Sequence, residues 1–191
     1  MRQFLIDDQN RRHLAKQREF RIAADVIAAA FAKFPEIAAI AVIGSVAKPL
    51  WMEVPRFREF RRKGIEVWHE CADLDLAVWI GNQDRLGELR RARDLALRAA
   101  YEAGKGTSIV GQQTDIFLFE PKSNFYVGRL CHFSQCPKGK RDCLVPGCGA
   151  VPFRRVFDGF VPHADILAAA SQSMLYERGK GILMSALDLP V

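Results

Sequence analysis

The chain has 191 residues, enough for one ordinary domain with at most a small appendage. Its hydrophobic fraction of 49% excludes a chain disordered as a whole, and 28 Lys plus Arg against 22 Asp plus Glu leave +6, a lean toward anionic partners. No apolar run nears the ~18 residues that a membrane span needs, and residues 1–10 lack the apolar stretch of a signal peptide. A cytoplasmic location without a membrane partner is therefore expected, where five cysteines point to metal ligands or free thiols before disulfides.

Apolar residues recur at helical spacing from Gln17 to Phe34 (Phe20, Ala23, Ala24, Ile27, Phe31), and Pro35 ends that helix. Ile37 to Ile43 is continuously apolar and stops at Gly44-Ser45, the pattern of a buried strand followed by a tight turn. The stretch from about 48 to 70 differs: Arg56, Arg58, Arg61, Arg62 and Lys63 interleave with Trp51, Phe57, Phe60 and Trp68. Asp73 to Ile80 alternates, with Leu74, Leu76, Val78 and Ile80 on one face and Asp73, Asp75, Ala77 and Trp79 on the other. A helix follows over about 84–103, with Leu89, Ala92, Ala96, Ala100 and Ala103 along one stripe. Thr114 to Phe119 alternates again and sets Asp115, Phe117 and Phe119 on one face. Cys131 to Gly149 has no period, and a last helix is expected from Ala164 to Tyr176, packing Leu167, Ala170 and Met174 and ending at Gly179. The expected fold is α/β (α+β): a small mixed sheet flanked by helices over 1–125, then a Cys-rich segment and a helix over 126–191.

Asp73 and Asp75, two apart on a strand, point the same way, and two adjacent carboxylates are costly unless a cation neutralises them. Oxygen ligands of that kind suit magnesium together with substrate phosphates. If the two acidic strands are neighbours, Asp115 joins the pair; alternatively, Asp73 and Asp115 are strand-end residues in turns. Upstream, Gly44-Ser45 opens into an expected helical turn, Val46-Ala47-Lys48, where free amides, the Ser45 hydroxyl and the Lys48 charge would attract a phosphate.

The strings A-V-I-G-S-V-A-K, D-L-D-L-A-V and T-D-I-F-L-F together resemble the nucleotidyltransferase superfamily that includes DNA polymerase beta and the small bacterial nucleotidyltransferases. The resemblance covers about Gln17 to Phe119. It implies a nucleotidyltransferase-like fold and transfer of a nucleoside monophosphate from an NTP, ATP among them, to a hydroxyl acceptor by a two-metal mechanism. It also implies that Gly44 and Ser45, with Lys48, contact the triphosphate. Asp73 and Asp75 would hold Mg2+, and Asp115 would be the third metal ligand and help activate the acceptor. One departure stands out. The basic, aromatic stretch makes the distance from Ser45 to Asp73 far longer than in small members, as an insertion that acts as a lid, an acceptor-binding arm, a dimer contact or a solvated helix face.

Cys131, Cys136, Cys143 and Cys148 form C-x4-C-x6-C-x4-C, with Pro137, Gly139, Pro146, Gly147 and Gly149 supplying turns. The pattern suits structural Zn2+, with His132 as a substitute for Cys131; the alternative is a set of ordinary free or buried thiols. Cys71 is expected in the core. The leading expectation is a magnesium-dependent nucleotidyltransferase with a zinc-binding C-terminal segment, its acceptor anionic or RNA if the basic insertion has a say. The rival is a zinc-stabilised nucleic-acid-binding or interaction module with a vestigial acid triad.

Overall fold

A computed structural model describes residues 3–52, 55–136, 141–169 and 171–191. In chain order these form α1 (Gln3–Phe31), β1 (Ile37–Ile43), the short α2 (Arg58–Arg62), β2 (Leu74–Ile80), α3 (Leu86–Glu102), β3 (Thr114–Phe119), β4 (Tyr126–Leu130), β5 (Arg154–Arg155), β6 (Gln172–Glu177) and β7 (Gly181–Ile182). Among the described residues the strands build one sheet of seven, ordered β5-β4-β3-β2-β1-β6-β7. β2 and β3 are parallel and the other pairs antiparallel. The parallel pair needs a crossover, which α3 supplies.

Strand alternation divides the molecule into two layers. On one face Ile40, Val42, Leu74, Leu76, Val78, Ile116 and Leu118 pack with Phe20, Ala24, Ile27 and Phe31 of α1 and Leu86, Leu89 and Leu97 of α3. On the other, Ala41, Ile43, Ala77, Trp79, Phe117 and Phe119 are covered by Phe160, Ile166 and Leu167 from an irregular segment. β1 is apolar throughout because it lies inside the sheet with both faces covered. No helix among the described residues is long and apolar enough to cross a membrane.

The structure corrects four sequence expectations. The first helix starts at Gln3, not near Gln17. Its early turns expose Phe4 and Leu5 and bury Ile6 and Asn10, so the apolar stripe is too thin there to reveal it. The buried stripe of α3 is Leu86, Leu89, Arg93, Leu97 and Ala100, while Ala103 is exposed: leucines with more area to bury turn the helix past its alanines. Arg93 enters that stripe because its guanidinium reaches Asp94, 2.8 Å away.

The expected last helix is also replaced. Residues 164–167 form a single 3-10 turn, and Gln172–Glu177 is β6, paired antiparallel with β1. The spacing of Leu167 and Met174 fits a helix, but unpaired amides and carbonyls along a strand edge are the stronger demand. Gly179 (φ +88°) sits in the β6–β7 turn instead of ending a helix. Ala170 lies outside the described residues. The segment after residue 125 supplies β4 to β7, both edges of the sheet that begins in the first 125 residues.

The fourth correction concerns residues 44–47, which form a turn and not a helical one. Side chains of α1 hold it. Gln17 Nε2 donates to the Lys48 carbonyl at 2.7 Å and Arg21 Nε to the Val46 carbonyl at 3.2 Å. The same guanidinium donates to the carbonyls of Leu189 and Pro190 at 2.7 and 2.8 Å, so one buried arginine ties the C-terminal residues to the turn after β1. At the far end of the long loop, Asn10 Nδ2 donates to the Glu66 carbonyl at 2.7 Å, and its Oδ1 accepts from the Trp68 amide at 3.2 Å.

Candidate metal centre and active site

The register of the sheet builds the site. Ile43, the last residue of β1, pairs with Asp75, and the parallel β2–β3 register sets Asp75 directly opposite Asp115. Asp73 immediately precedes β2. One carboxylate oxygen from each of Asp73, Asp75 and Asp115 lies within 4.8 Å of the others, and among the described residues no other set of three metal-ligating side chains is so close. The three acids singled out in the sequence thus converge at one end of the parallel pair.

Their electrostatics follow from that crowding. Burial pushes the Asp75 carboxyl up to about 7 from 3.8, with the charges of Asp73 and Asp115 adding to the rise and Arg129 opposing it. Asp73 is raised as well, by burial first and by Asp115 second. Two carboxyls held above their ordinary range beside a third describe a site short of positive charge.

Part of that charge comes from a residue that sequence reasoning missed. Arg129 on β4 pairs in register with Phe117 and forms an ion pair with Asp115. Its guanidinium lies 4.2, 4.9 and 4.7 Å from the ring centres of Phe117, Phe157 and Phe160. Such a cage fixes a cation by its contacts with the ring faces. The only signal in the sequence is one arginine inside a short apolar strand; the rings of Phe157 and Phe160 arrive from a distant loop.

The backbone of Gly44 runs close against the site. Its φ is +71°, and a Cβ built there would stand 2.6 Å from Asp75 Oδ2. Only glycine tolerates both the left-handed backbone and that approach. The Ser45 side chain lies beside the thiol of Cys71, which is buried in the main core as expected. The Lys48 amide donates to the Ser45 carbonyl at 3.3 Å.

The remaining sequence candidates lie elsewhere. Cys131, Cys143 and Cys148 are buried, Cys136 is half-buried, and none is in a disulfide. His132 packs edge-on against Phe133, and its Nδ1 is 3.4 Å from a guanidinium nitrogen of Arg155. Pro137 and Gly139 lie outside the described residues. In the basic stretch, Arg62 pairs with Glu59 at 2.6 Å, Arg61 donates to the Trp51 carbonyl, and Arg56 lies 4.6 Å from the ring centre of Phe57. Of its four aromatic residues, Trp68 packs against the main core, whereas Trp51 and Phe60 are exposed.

Two of the larger cavities on the fold are not lined by the acids. One of about 550 Å³ lies between α3 and residues 108–112, beside His132. The other, of about 830 Å³, is lined chiefly by Phe119, Tyr126, Phe160 and Leu167 on the face of the sheet that also carries Asp75 and Asp115. No protein family, curated protein or solved structure matches the chain.

Proposed function

We propose that this chain is a magnesium-dependent nucleotidyltransferase that moves a nucleoside monophosphate from an NTP to a hydroxyl acceptor. The observation that carries the reading is the convergence of Asp73, Asp75 and Asp115 within 4.8 Å, with Asp75 raised to about 7. An all-oxygen donor set with too little positive charge fits a hard dication better than a softer metal. Asp73 and Asp75 would hold magnesium, with Asp115 as the third ligand. When bound, the ions would lower the cost of ionising the acceptor hydroxyl and neutralise charge on the departing pyrophosphate.

The chain's own residues do the rest by position. Arg129 keeps Asp115 oriented toward the other two acids and supplies a fixed positive charge beside them. Gly44 leaves the turn after β1 against Asp75 with no side chain in the way, which suits the approach of a triphosphate. Ser45 and Lys48, which follow Gly44 in the chain, would supply the phosphate contacts. The apolar cavity on the acid face suits a base or an uncharged acceptor group.

The test is transfer itself. The purified chain is incubated with α-labelled NTPs, Mg2+ and acceptor pools comprising RNA, small-molecule extract and protein. Label transferred by the wild type and not by Asp73→Asn supports the reading, and no transfer from any NTP to any pool contradicts it. The pairing of Asp115 with Arg129 favours one rival, a nucleic-acid-binding module whose acids are neutralised internally. Such a module would bind RNA without Mg2+ and be indifferent to Asp73→Asn.

A further inference from the structure

Among the described residues of the β4–β5 connection, 131–153, only Val151 and Phe153 pack against an apolar core, that of the helical face. Cys131, Cys143 and Cys148 are only 5%, 9% and 6% exposed, yet none belongs to the cluster on the helical face or to the one on the acid face. The Cys143 and Cys148 thiols are within hydrogen-bonding reach. Leu144, within the same loop, is 76% exposed, so the segment hides sulfur while it leaves a leucine in solvent. Apolar collapse does not produce that arrangement.

The backbone is shaped around the same centre. The Cys131 amide donates to the Phe153 carbonyl at 2.8 Å, clasping the two ends of the loop together. The Cys148 amide donates to the Val145 carbonyl at 3.0 Å, and Gly147 and Gly149 on either side have φ of +78° and +75°. Left-handed glycines on both sides of a cysteine turn its side chain inward at a tight bend.

We propose that Cys131, Cys136, Cys143 and Cys148 bind one structural zinc ion, a site separate from the acid centre and independent of its activity. Four thiolates fill a tetrahedral shell, so no position is left for a substrate or a reactive water. Among the described residues only the three acids bring their ligand atoms within 4.8 Å of one another, so no three of the sulfurs are that close without the ion. An ion with sulfur at ~2.3 Å draws them together. Cysteine binds the ion as thiolate, so binding releases protons and the ion offsets the negative charge that forms. The ion would link the cysteines, which belong to neither apolar cluster, and hold β5 against β4, the strand that carries Arg129.

Metal analysis of the full chain, purified without added metal, tests this directly. About one zinc per chain is expected in the wild type, with at least a several-fold loss in Cys143→Ser and in Cys148→Ser. Should those variants fail to fold, cobalt exchanged into the wild type keeps the question open to measurement, since a tetrahedral cobalt tetrathiolate absorbs intensely in the visible. Zinc at one equivalent with the cobalt-thiolate spectrum supports the site. Absence of metal with all five thiols titratable in the native protein overturns it, as does zinc retained in full by both serine variants. None of these readouts depends on nucleotide binding, so failure here is distinct from failure of the transferase reading.

Discussion

Replacing Asp75 by Asn should stabilise the metal-free chain at alkaline pH and leave it nearly unchanged in acid. In the folded chain the carboxyl is pushed from 3.8 to about 7. The folded state therefore holds a proton that the unfolded chain has already lost between about pH 4 and about pH 7, and stability falls as pH rises through that window. Above it, ionised Asp75 costs the fold up to ~4 kcal/mol, an upper bound because Arg129 and solvent relax the site. Asn keeps the shape and removes the charge. At about pH 8 in EDTA we expect a gain of roughly 2–4 kcal/mol, or roughly 5–10 °C in melting temperature for a chain of this size. At about pH 3 the gain should vanish, because both states then largely carry the proton. Thermal unfolding followed by circular dichroism at the two pH values is sufficient. Added Mg2+ should raise the melting temperature of the wild type and not of the variant, which has lost a ligand. A variant destabilised equally at both pH values would show that Asp75 is structural and that the crowding of acids is not the governing feature.

Further expectations concern the neighbours of that carboxylate. Gly44→Ala forces a Cβ toward Asp75 Oδ2 at a left-handed residue, so we expect a loss of about 1–3 kcal/mol in stability together with weakened Mg2+ binding, read by unfolding and calorimetry. Arg129→Met keeps the packing among Phe117, Phe157 and Phe160 but removes the charge beside Asp115; Asp75 should then titrate still higher, which carboxylate NMR can follow. Mg2+ affinity of the wild type should climb from about pH 6 to about pH 8, because the ion must displace the Asp75 proton, and a flat profile would contradict the raised carboxyl. Changing Arg58, Arg61 and Arg62 together to Ala should weaken RNA binding and flatten its salt dependence, and unchanged affinity at low salt would assign these arginines to a solvated surface.

The elements that proved legible are those whose pattern is local. The continuous apolar run Ile37–Ile43 and the alternation in Leu74–Ile80 and Thr114–Phe119 each carry their own period, and the structure places strands over those ranges. Asp73, Asp75 and Asp115 could be singled out because acids at strand ends beside apolar runs are conspicuous in a linear reading. What escaped depends on pairing across the chain. Gln172–Glu177 is a strand because β1 has an edge to fill, a demand written more than a hundred residues earlier. Arg129 acquires its role from rings at 117, 157 and 160 that meet only in the folded molecule. The tight turn at Gly44-Ser45 is legible in the sequence, but its non-helical form is not, since Gln17 and Arg21 of α1 bind the carbonyls of Lys48 and Val46.

The central claim is that three carboxylates hold metal for a nucleotide, and it is met most directly by calorimetric titration of a non-hydrolysable NTP. The titration is made into wild type and Asp75→Asn, each with and without Mg2+. The account predicts saturable binding to the wild type with Mg2+, at least ten-fold weaker binding without it, and no Mg2+ dependence in the variant. Equal binding in all four titrations, or none in the wild type with Mg2+ at millimolar nucleotide, would contradict it.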